Sequence, residues 1–353
     1  MNRASGFHIW LNKAWMENLG LEDPANLDEF YNILKAFKEQ DANGNGDPND
    51  EIALSVPDGM SYLQNFLTYF GLCIDSNTWL AVKDGELVYA PTTDEYKEYL
   101  QFFNKLYTEG ILDEDSFTQS YDQIVSKGSS ADVLGCFSAL ASFQFAGRDR
   151  DEEYISMVPF EGQTYPLFTG LGSGNMMITD TCEDPATLVA WADQLYSEEG
   201  GILYWLGVEG NAYVNNDDGT WSWNEGGPLG DDAATVREKG TLKYEVAFPG
   251  IEPEKWGSGI TDPDEKYLNT QRAKMVSYGD VPLPAMSYST EDTETIAALT
   301  ADLNSYINQY GAQVVIGEQS LDDSWDNYVE TLNNMGAAEL MEIYQKAYDA
   351  AEK

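Results

Sequence analysis

Apolar and polar residues along this chain repeat with two different periods, which predict short strands between longer helices. An alternating run from Phe7 passes into a short helix around Met16 that stops at Gly20. Asn26, with Glu29 three residues later, forms the capping-box pattern that opens a second helix. The apolar positions of this helix recur at helical spacing: Leu27, Phe30, Tyr31, Leu34 and Phe37.

The alternation of strands and helices continues to the end of the chain. Helices are predicted at residues 62–70, 94–107, 184–196, 291–310 and 324–350, the last of them broken at Gly336. Strands are predicted at 133–145 and 154–158, with a hairpin at 79–89 that turns at Asp84-Gly85. Residues 200–259 are rich in Gly, Asp and Trp and show little periodicity. This order of elements predicts an α/β fold.

Residues 41–51 place oxygen-bearing side chains at every second position around glycines and end in an acidic pair. Calcium takes roughly six to eight oxygen ligands, so a loop of this kind can wrap the ion. We expect a structural Ca²⁺ that ties the preceding helix to the segment after the loop. The predicted ligands are Asp41, Asn43, Asn45, Asp47 through its backbone carbonyl, Asp50 and Glu51.

The loop departs from an EF-hand at its end. Its first seven positions match, but the twelfth is Ile52, which cannot supply the closing carboxylate. The sequence therefore leaves open which of Asn49, Asp50 and Glu51 coordinates the ion. The alternative is a solvated turn without metal, because Asn, Gly and Asp also favour turns for backbone reasons.

Length and charge narrow the class of protein. A chain of 353 residues predicts two domains or lobes. With 19 Lys and Arg against 61 Asp and Glu, the net charge is −42, which excludes a nucleic-acid partner because phosphate binding depends on basic side chains. No run approaches the roughly 20 apolar residues of a membrane span. The acids are spread through aromatic-rich sequence, which favours a folded chain.

The cysteine and histidine residues do not indicate a zinc site or a redox site. Cys73, Cys136 and Cys182 are far apart and follow no zinc or redox spacing, so we expect buried free thiols. His8 is the only histidine, and it lies in an alternating run that predicts a strand. A histidine-based catalytic triad could form only through His8, and a site with several histidine ligands is excluded.

Five stretches in order together resemble the extracellular solute-binding protein family 1, the substrate-binding subunits of bacterial ABC importers for carbohydrates. The loop at 41–51 resembles the calcium loop of the members that bind long oligosaccharides. The other four stretches are 10–16 with 19–21 and 26–30, 206–210 with Tyr213, 315–318, and 325–329 with 335–336 and 343–349.

The resemblance implies a periplasmic-binding-protein-like fold of type II with two lobes. The Asn-Lys motif, which in this family lies where the chain crosses into the second lobe, begins here at Asn12. We therefore expect most of the first lobe's N-terminal segment, the signal peptide and the lipobox cysteine to be absent. The expected division is a second-lobe region with the calcium loop at 1–165, a crossover and partial first-lobe region at 166–290, and C-terminal helices packing back on the second lobe at 291–353.

The resemblance also implies a function. The chain is expected to bind a carbohydrate, an oligosaccharide above all, in a cleft between lobes and to deliver it to the permease subunits. The full-length parent is expected to be an extracellular lipoprotein that meets the membrane only through its lipid anchor. For each candidate wall residue the alternative is core packing. These candidates are Tyr62, Trp79, Phe143, Gln144, Tyr204 and Tyr288.

Two other classes of protein are compatible with parts of the pattern. A secreted, calcium-stabilised glycoside hydrolase would also be acidic and aromatic, with two carboxylates in one cleft. A cellulosomal dockerin would carry a similar loop, but in duplicate, whereas this chain has one. The sequence predicts a binding protein and not an enzyme, and sugar release from an oligosaccharide would distinguish the two.

Overall fold

The computed structural model describes residues 3–83, 85–169, 176–242, 249–259 and 263–351. The chain divides into two compact units. Unit 1 comprises residues 1–170 and 270–353, and unit 2 comprises 171–269. Among the described residues, no helix is both long enough and apolar enough to cross a membrane.

A three-stranded antiparallel sheet organises unit 1. Strand β2 (His8–Asn12) lies between β5 (Cys136–Ala139) and β6 (Tyr154–Ser156), with His8 opposite Ala139. All five residues of β2 are buried, as expected for a central strand covered on both faces.

Unit 1 contains two further sets of strands. Strand β7 (Tyr165–Thr169) pairs with β1 (Arg3–Ser5) in antiparallel fashion and with β10 (Gly279–Asp280) in parallel. The predicted hairpin forms from β3 (Leu80–Lys83) and β4 (Glu86–Tyr89). Asp84 of its predicted turn lies outside the described residues.

Most of the helices lie where the sequence pattern predicts them. Asn26 caps α2 by accepting a hydrogen bond from the Glu29 backbone N–H, and Gly20 ends α1 with φ +67°. The helices that precede unit 2 are α1 (Lys13–Leu19), α2 (Leu27–Glu39), α3 (Met60–Leu63), α4 (Asp94–Thr108), α5 (Tyr121–Ser130) and α6 (Phe143–Ala146). A 3₁₀ helix at Gln64–Phe70 continues α3.

One apolar core joins both parts of unit 1. Tyr96, Tyr99 and Phe103 of α4 are fully buried, and Tyr96 lies beside Trp325 near the C-terminus. Tyr328, on the same C-terminal helix as Trp325, is also buried. The C-terminal helices therefore share their core with the N-terminal region.

Unit 2 is built from short elements. These are α7 (Pro185–Asp193), α8 (Glu198–Trp205), β8 (Tyr213–Asn215), β9 (Trp221–Trp223), α9 (Ala233–Gly240) and α10 (Glu254–Gly259). Strands β8 and β9 form an antiparallel hairpin. Four more helices follow along the chain: α11 (Pro263–Val276), α12 (Thr290–Val315), α13 (Leu321–Asn334) and α14 (Ala337–Ala351).

Three parts of the secondary-structure prediction need correction. Residues 133–145 are not one strand, because β5 ends at Ala139 and the chain turns into α6. Residues 200–259 contain helices and a hairpin whose elements are too short to show a period. The sequence pattern also misses α5 and α11. The three cysteines are free as predicted, but only Cys136 is buried, while Cys73 and Cys182 are half-buried.

Candidate functional site

At one edge of the central sheet of unit 1, strand β2 begins and strands β5 and β6 end. We call this the His8 edge. Strands β5 and β6 both run antiparallel to β2, so both end where β2 begins. The residues directly before or after a strand at this edge are Phe7, Leu140 and Met157. The indole N–H of Trp10 donates to the Ala139 carbonyl at 3.0 Å and fixes the end of β5.

Three of the predicted wall residues lie near the His8 edge. The Tyr62 ring meets the Phe7 ring edge to face, with centroids 5.3 Å apart. Phe143 and Gln144 open α6 just beyond the end of β5, and the Arg148 guanidinium lies over the Phe143 ring at 4.7 Å. The side chain of Gln144 accepts from the Ala141 N–H at 3.1 Å. Tyr62, Phe143 and Gln144 are all half-buried, so each keeps surface for a ligand.

The other three predicted wall residues lie elsewhere. Trp79 is buried in the core of unit 1, where its indole N–H donates to Asn304 at 3.0 Å. Tyr288 packs against Tyr344 of α14 with ring centroids 6.0 Å apart. Tyr204 is buried within unit 2.

The His8 edge also contains residues that the sequence pattern does not single out. Phe7 precedes the first buried strand, and Leu140 follows the strand β5 with 41% of its surface exposed. Tyr121 opens α5 and packs edge to face on Phe145, with centroids 5.2 Å apart. An apolar residue directly after a buried strand is the available signal for Leu140. No local signal connects Tyr121 to this edge.

Two titratable side chains near the His8 edge, Tyr62 and His8, remain uncharged at neutral pH. Burial raises the pKa of Tyr62, helped by Tyr121 and Asp58, so its phenol remains a hydrogen-bond donor. Burial lowers the pKa of His8 to about 3, and the positive charges of Arg272 and Lys274 act in the same direction. The neutral His8 ring bonds Ser156 Oγ through Nδ1 at 2.6 Å. His8 is therefore a buried core residue that is neutral at neutral pH.

The loop at 41–51 is folded by its own side chains. The carboxylate of Asp41 accepts from the Gly46 N–H at 3.0 Å, and Glu51 Oε1 accepts from the Ala42 N–H at 2.8 Å. Asp50 accepts from the side-chain amides of Asn43 and Asn45 at 3.1 and 2.7 Å.

Two carboxylate oxygens of this loop are buried without a hydrogen-bond partner. They are Oδ1 of Asp41 and Oε2 of Glu51, and Glu51 is only 3% exposed. A buried carboxylate oxygen without a partner is costly unless a cation offsets it. In the part of the chain that is described, no cluster of three or more His, Cys, Asp or Glu is placed to hold a metal ion. The loop's carboxylates therefore suit a cation only together with amide and backbone oxygens, the mixture that calcium accepts.

The loop joins the sheet at the end opposite the His8 edge. The Ile52 N–H donates to the Val133 carbonyl at 2.8 Å, and the Gly135 N–H donates back to Ile52 at 2.9 Å. The side-chain amide of Asn43 donates to the Asp132 carbonyl at 2.9 Å. Residues 132–135 lead directly into β5, so the loop supports the start of the strand whose other end leads to Phe143.

Comparison with known proteins finds relatives among bacterial binding proteins, while no family model matches. The fructooligosaccharide ABC transporter substrate-binding protein FusA of Streptococcus pneumoniae is 26% identical over 96% of this chain. The lipoprotein LipO of Bacillus subtilis is also 26% identical over 96% of the chain. The chain spans 65% of the length of FusA and 68% of LipO.

Solved structures with the same fold include an HMO-binding ABC-transporter-associated solute-binding protein from Bifidobacterium longum infantis, with TM-score 0.80 and 24% identity over 98% of this chain and 74% of its own. FusA in complex with kestose gives TM-score 0.78 and 26% identity over 99% of this chain and 73% of its own. An EF-hand mutant of FusA in complex with fructo-nystose gives TM-score 0.78 at 25% identity, with the same coverage.

Proposed function

Because the chain is a homologue of ABC transporter substrate-binding proteins of the extracellular solute-binding family 1 type and has their fold, we propose that it binds a carbohydrate for import. The ligand class is an oligosaccharide, as the names of FusA and of the HMO-binding protein state for those proteins. The partners are the permease subunits of an ABC importer. The whole protein acts at the extracellular surface, held by a lipid anchor.

The observation that carries this proposal is the set of half-buried rings and one amide at the His8 edge. Tyr62 and Phe143 come from segments about 80 residues apart in sequence and reach the same end of one sheet. Sugars present apolar ring faces that stack on aromatic side chains and hydroxyls that bond amides and phenols. Gln144 and the protonated Tyr62 phenol supply polar groups beside those rings.

Isothermal titration tests the proposal directly. The protein is titrated with kestose, nystose, human milk oligosaccharides and pectic oligosaccharides, and binding of at least one class is expected. Tyr62→Ala and Phe143→Ala should each weaken that binding by at least about fivefold, because a stacked aromatic ring contributes about 1 kcal/mol. Tyr31→Ala removes a half-buried ring on α2 that contacts Lys105 and Glu109, and it should leave affinity unchanged. Equal affinities in all three variants would contradict a wall at the His8 edge.

We propose further that the protein has no catalytic activity toward the sugar that it binds. FusA and LipO, the relatives at 26% identity, are a substrate-binding protein and a lipoprotein by name. The imidazole of His8, on the strand that begins at this edge, is neutral and bonds Ser156. Chromatography of each bound oligosaccharide after prolonged incubation should return it intact. Release of shorter sugars would support a glycoside hydrolase instead.

The loop at 41–51 is proposed to hold a structural Ca²⁺. Support comes from the buried, unpartnered oxygens of Asp41 and Glu51 and from the EF-hand of FusA that the solved mutant names. Of the three residues at the end of the loop that the sequence leaves open, Glu51 is the best ligand, because its Oε2 lacks a partner while Asp50 already bonds two amides. Asn43, Asn45 and the Asp47 carbonyl would complete the oxygen set.

Thermal unfolding with calcium and with chelator tests this assignment. Saturating calcium should stabilise the protein by about 3 kcal/mol at a hundredfold excess over its Kd. Glu51→Gln keeps the bond from the Ala42 N–H but lacks the charge, and it should lose most of this response. Asp47→Asn keeps the backbone carbonyl and serves as the matched control. Identical melting of the unsubstituted protein in calcium and in chelator would remove the proposal.

A further inference from the structure

A cavity lies in unit 1 beside the His8 edge, and no motif in the sequence predicts it. Its volume is about 120 Å³, the scale of one small ring and not of a whole oligosaccharide. Phe7, which contacts Tyr62 at the proposed wall, also lines this cavity. The cavity therefore continues the surface on which the proposed function places the carbohydrate.

One side of the cavity is a polar stripe on a helix. Ser61, Gln64, Asn65 and Thr68 follow one another at helical spacing along α3 and the 3₁₀ helix after it, and all four line the cavity. Asn65 donates its amide N–H to Ser138 Oγ at 3.0 Å, which fixes the side chain against β5. The stripe thus offers amide and hydroxyl groups in a fixed arrangement.

The other side of the cavity is aromatic and partly exposed. Phe168 lies on β7 with 46% of its surface exposed, although the residue is large and apolar. Its ring lies against Gly6, where a Cβ atom would collide with the ring edge. The Tyr165 hydroxyl donates to the Phe7 carbonyl and holds the first segment beside β7. The Phe168 ring can therefore lie at the rim of the cavity because Gly6 has no side chain.

We propose that this cavity is a subsite for a single sugar ring, with Phe168 as its stacking face and Gln64 and Asn65 as its hydrogen-bonding side. The chemistry is that of a carbohydrate, because a polar stripe opposite an exposed ring matches the hydroxyl edge and the apolar face of one sugar. The subsite rests on the proposed function and deepens it, since it adds a position beyond the wall at Tyr62 and Phe143. Phe168 is a specificity-determining residue for the ring at this position.

Saturation-transfer NMR with single sugars tests the subsite even when the full ligand is unidentified. D-glucose, D-galactose, D-mannose and D-fructose are each added to the full chain, and at least one should receive saturation from the protein. Phe168→Ala should weaken that sugar's apparent affinity by at least about fivefold, the effect of one stacked ring. Gly6→Ala should weaken it as well, because the added methyl group displaces the Phe168 ring. Tyr31→Ala, on α2 against Lys105 and Glu109, is the matched control, and melting curves verify that each variant folds.

The outcomes separate this inference from the proposed function. A signal that is lost in Phe168→Ala and Gly6→Ala but kept in Tyr31→Ala supports the subsite. Oligosaccharide binding by titration, with no single-sugar signal or with one that both variants keep, overturns the subsite and leaves the proposed function standing. If neither oligosaccharides nor single sugars bind, both proposals are overturned.

Discussion

The two units differ sharply in how they bury their apolar residues. In unit 1, helix α4 buries Tyr96, Tyr99, Leu100, Phe103 and Leu106 within one continuous core. In unit 2, helix α7 buries only Ala192, while Val189 and Trp191 on the same helix are each 52% exposed. The compact cluster of unit 2 is small and rests on stacked tryptophans, with Trp221 and Trp256 at 5.5 Å between ring centroids.

The contrast in packing indicates where stability resides in the described chain. A helix whose apolar face is exposed gains little from burial, so its local unfolding free energy is low. The proposed sugar wall, the proposed calcium loop and the proposed subsite all lie on unit 1, the unit with the large core. A binding site needs side chains held by packing, and unit 1 provides that support.

The largest expected difference in stability is between a leucine-to-alanine substitution in unit 1 and one in unit 2. Leu100→Ala removes a fully buried side chain and should lower the free energy of unfolding of unit 1 by about 3 kcal/mol. Leu203→Ala truncates a side chain on α8 that is 48% exposed, and it should change stability by less than about 0.5 kcal/mol. Urea denaturation measures both variants. Equal losses would mean that the two units are packed alike.

A smaller effect tests what holds the tryptophan cluster of unit 2. The Arg237 guanidinium lies 5.8 Å from the ring centroids of both Trp223 and Trp256, and it bonds Glu265 at 3.1 Å. Arg237→Met keeps the apolar stem but removes the charge, and we expect a loss of about 2 kcal/mol because Glu265 is buried.

Tryptophan fluorescence during urea unfolding reports on this cluster. The matched control is Lys239→Met, which removes an exposed positive charge from the same helix and should cost less than about 0.5 kcal/mol. If Arg237→Met and Lys239→Met have the same free energy of unfolding, the Arg237 guanidinium contributes no more than an exposed charge. The tryptophan cluster would then be stabilised by its rings alone.

Local signals in the sequence are sufficient for the parts of unit 1 that depend on neighbours along the chain. The cap at Asn26 and the stop at Gly20 are predictable because each involves residues a few positions apart. The alternating oxygen-bearing side chains at 41–51 predict a loop, and in the structure these residues form a compact turn. Whether the loop binds calcium remains a prediction, since its ligand set depends on an ion.

Long-range contacts set the limits of what the sequence predicts. Trp79 has φ +60° and bonds Asn304, a partner 225 residues away, so nothing near it in sequence indicates a core position. Tyr62, which contacts Phe7, and Phe143 and Gln144, which follow β5, lie at the same end of the sheet because β2 and β5 pair with His8 opposite Ala139. The sequence of unit 2 looks irregular because elements of three to eight residues are shorter than the windows in which periodicity shows.

The weakest of these effects concerns the buried His8, which ties the stability of unit 1 to pH. Its pKa is lowered to about 3 in the folded state from an ordinary value of 6.5. Between these two values the unfolded chain binds a proton that the folded chain does not, so stability rises with pH across this window and is lost as the solution is acidified. Between pH 7 and pH 5.5 this single group should remove about 1 kcal/mol.

The variant His8→Gln isolates this contribution from that of the many carboxylates. Its amide can still bond Ser156 but does not titrate, while the acidic residues remain the same in both proteins. Urea denaturation at pH 7 and at pH 5.5 should show a loss that is larger by about 1 kcal/mol in the unsubstituted protein. Equal losses would place His8 in contact with solvent, and the central strand β2 would then be less well covered than the packing of unit 1 requires.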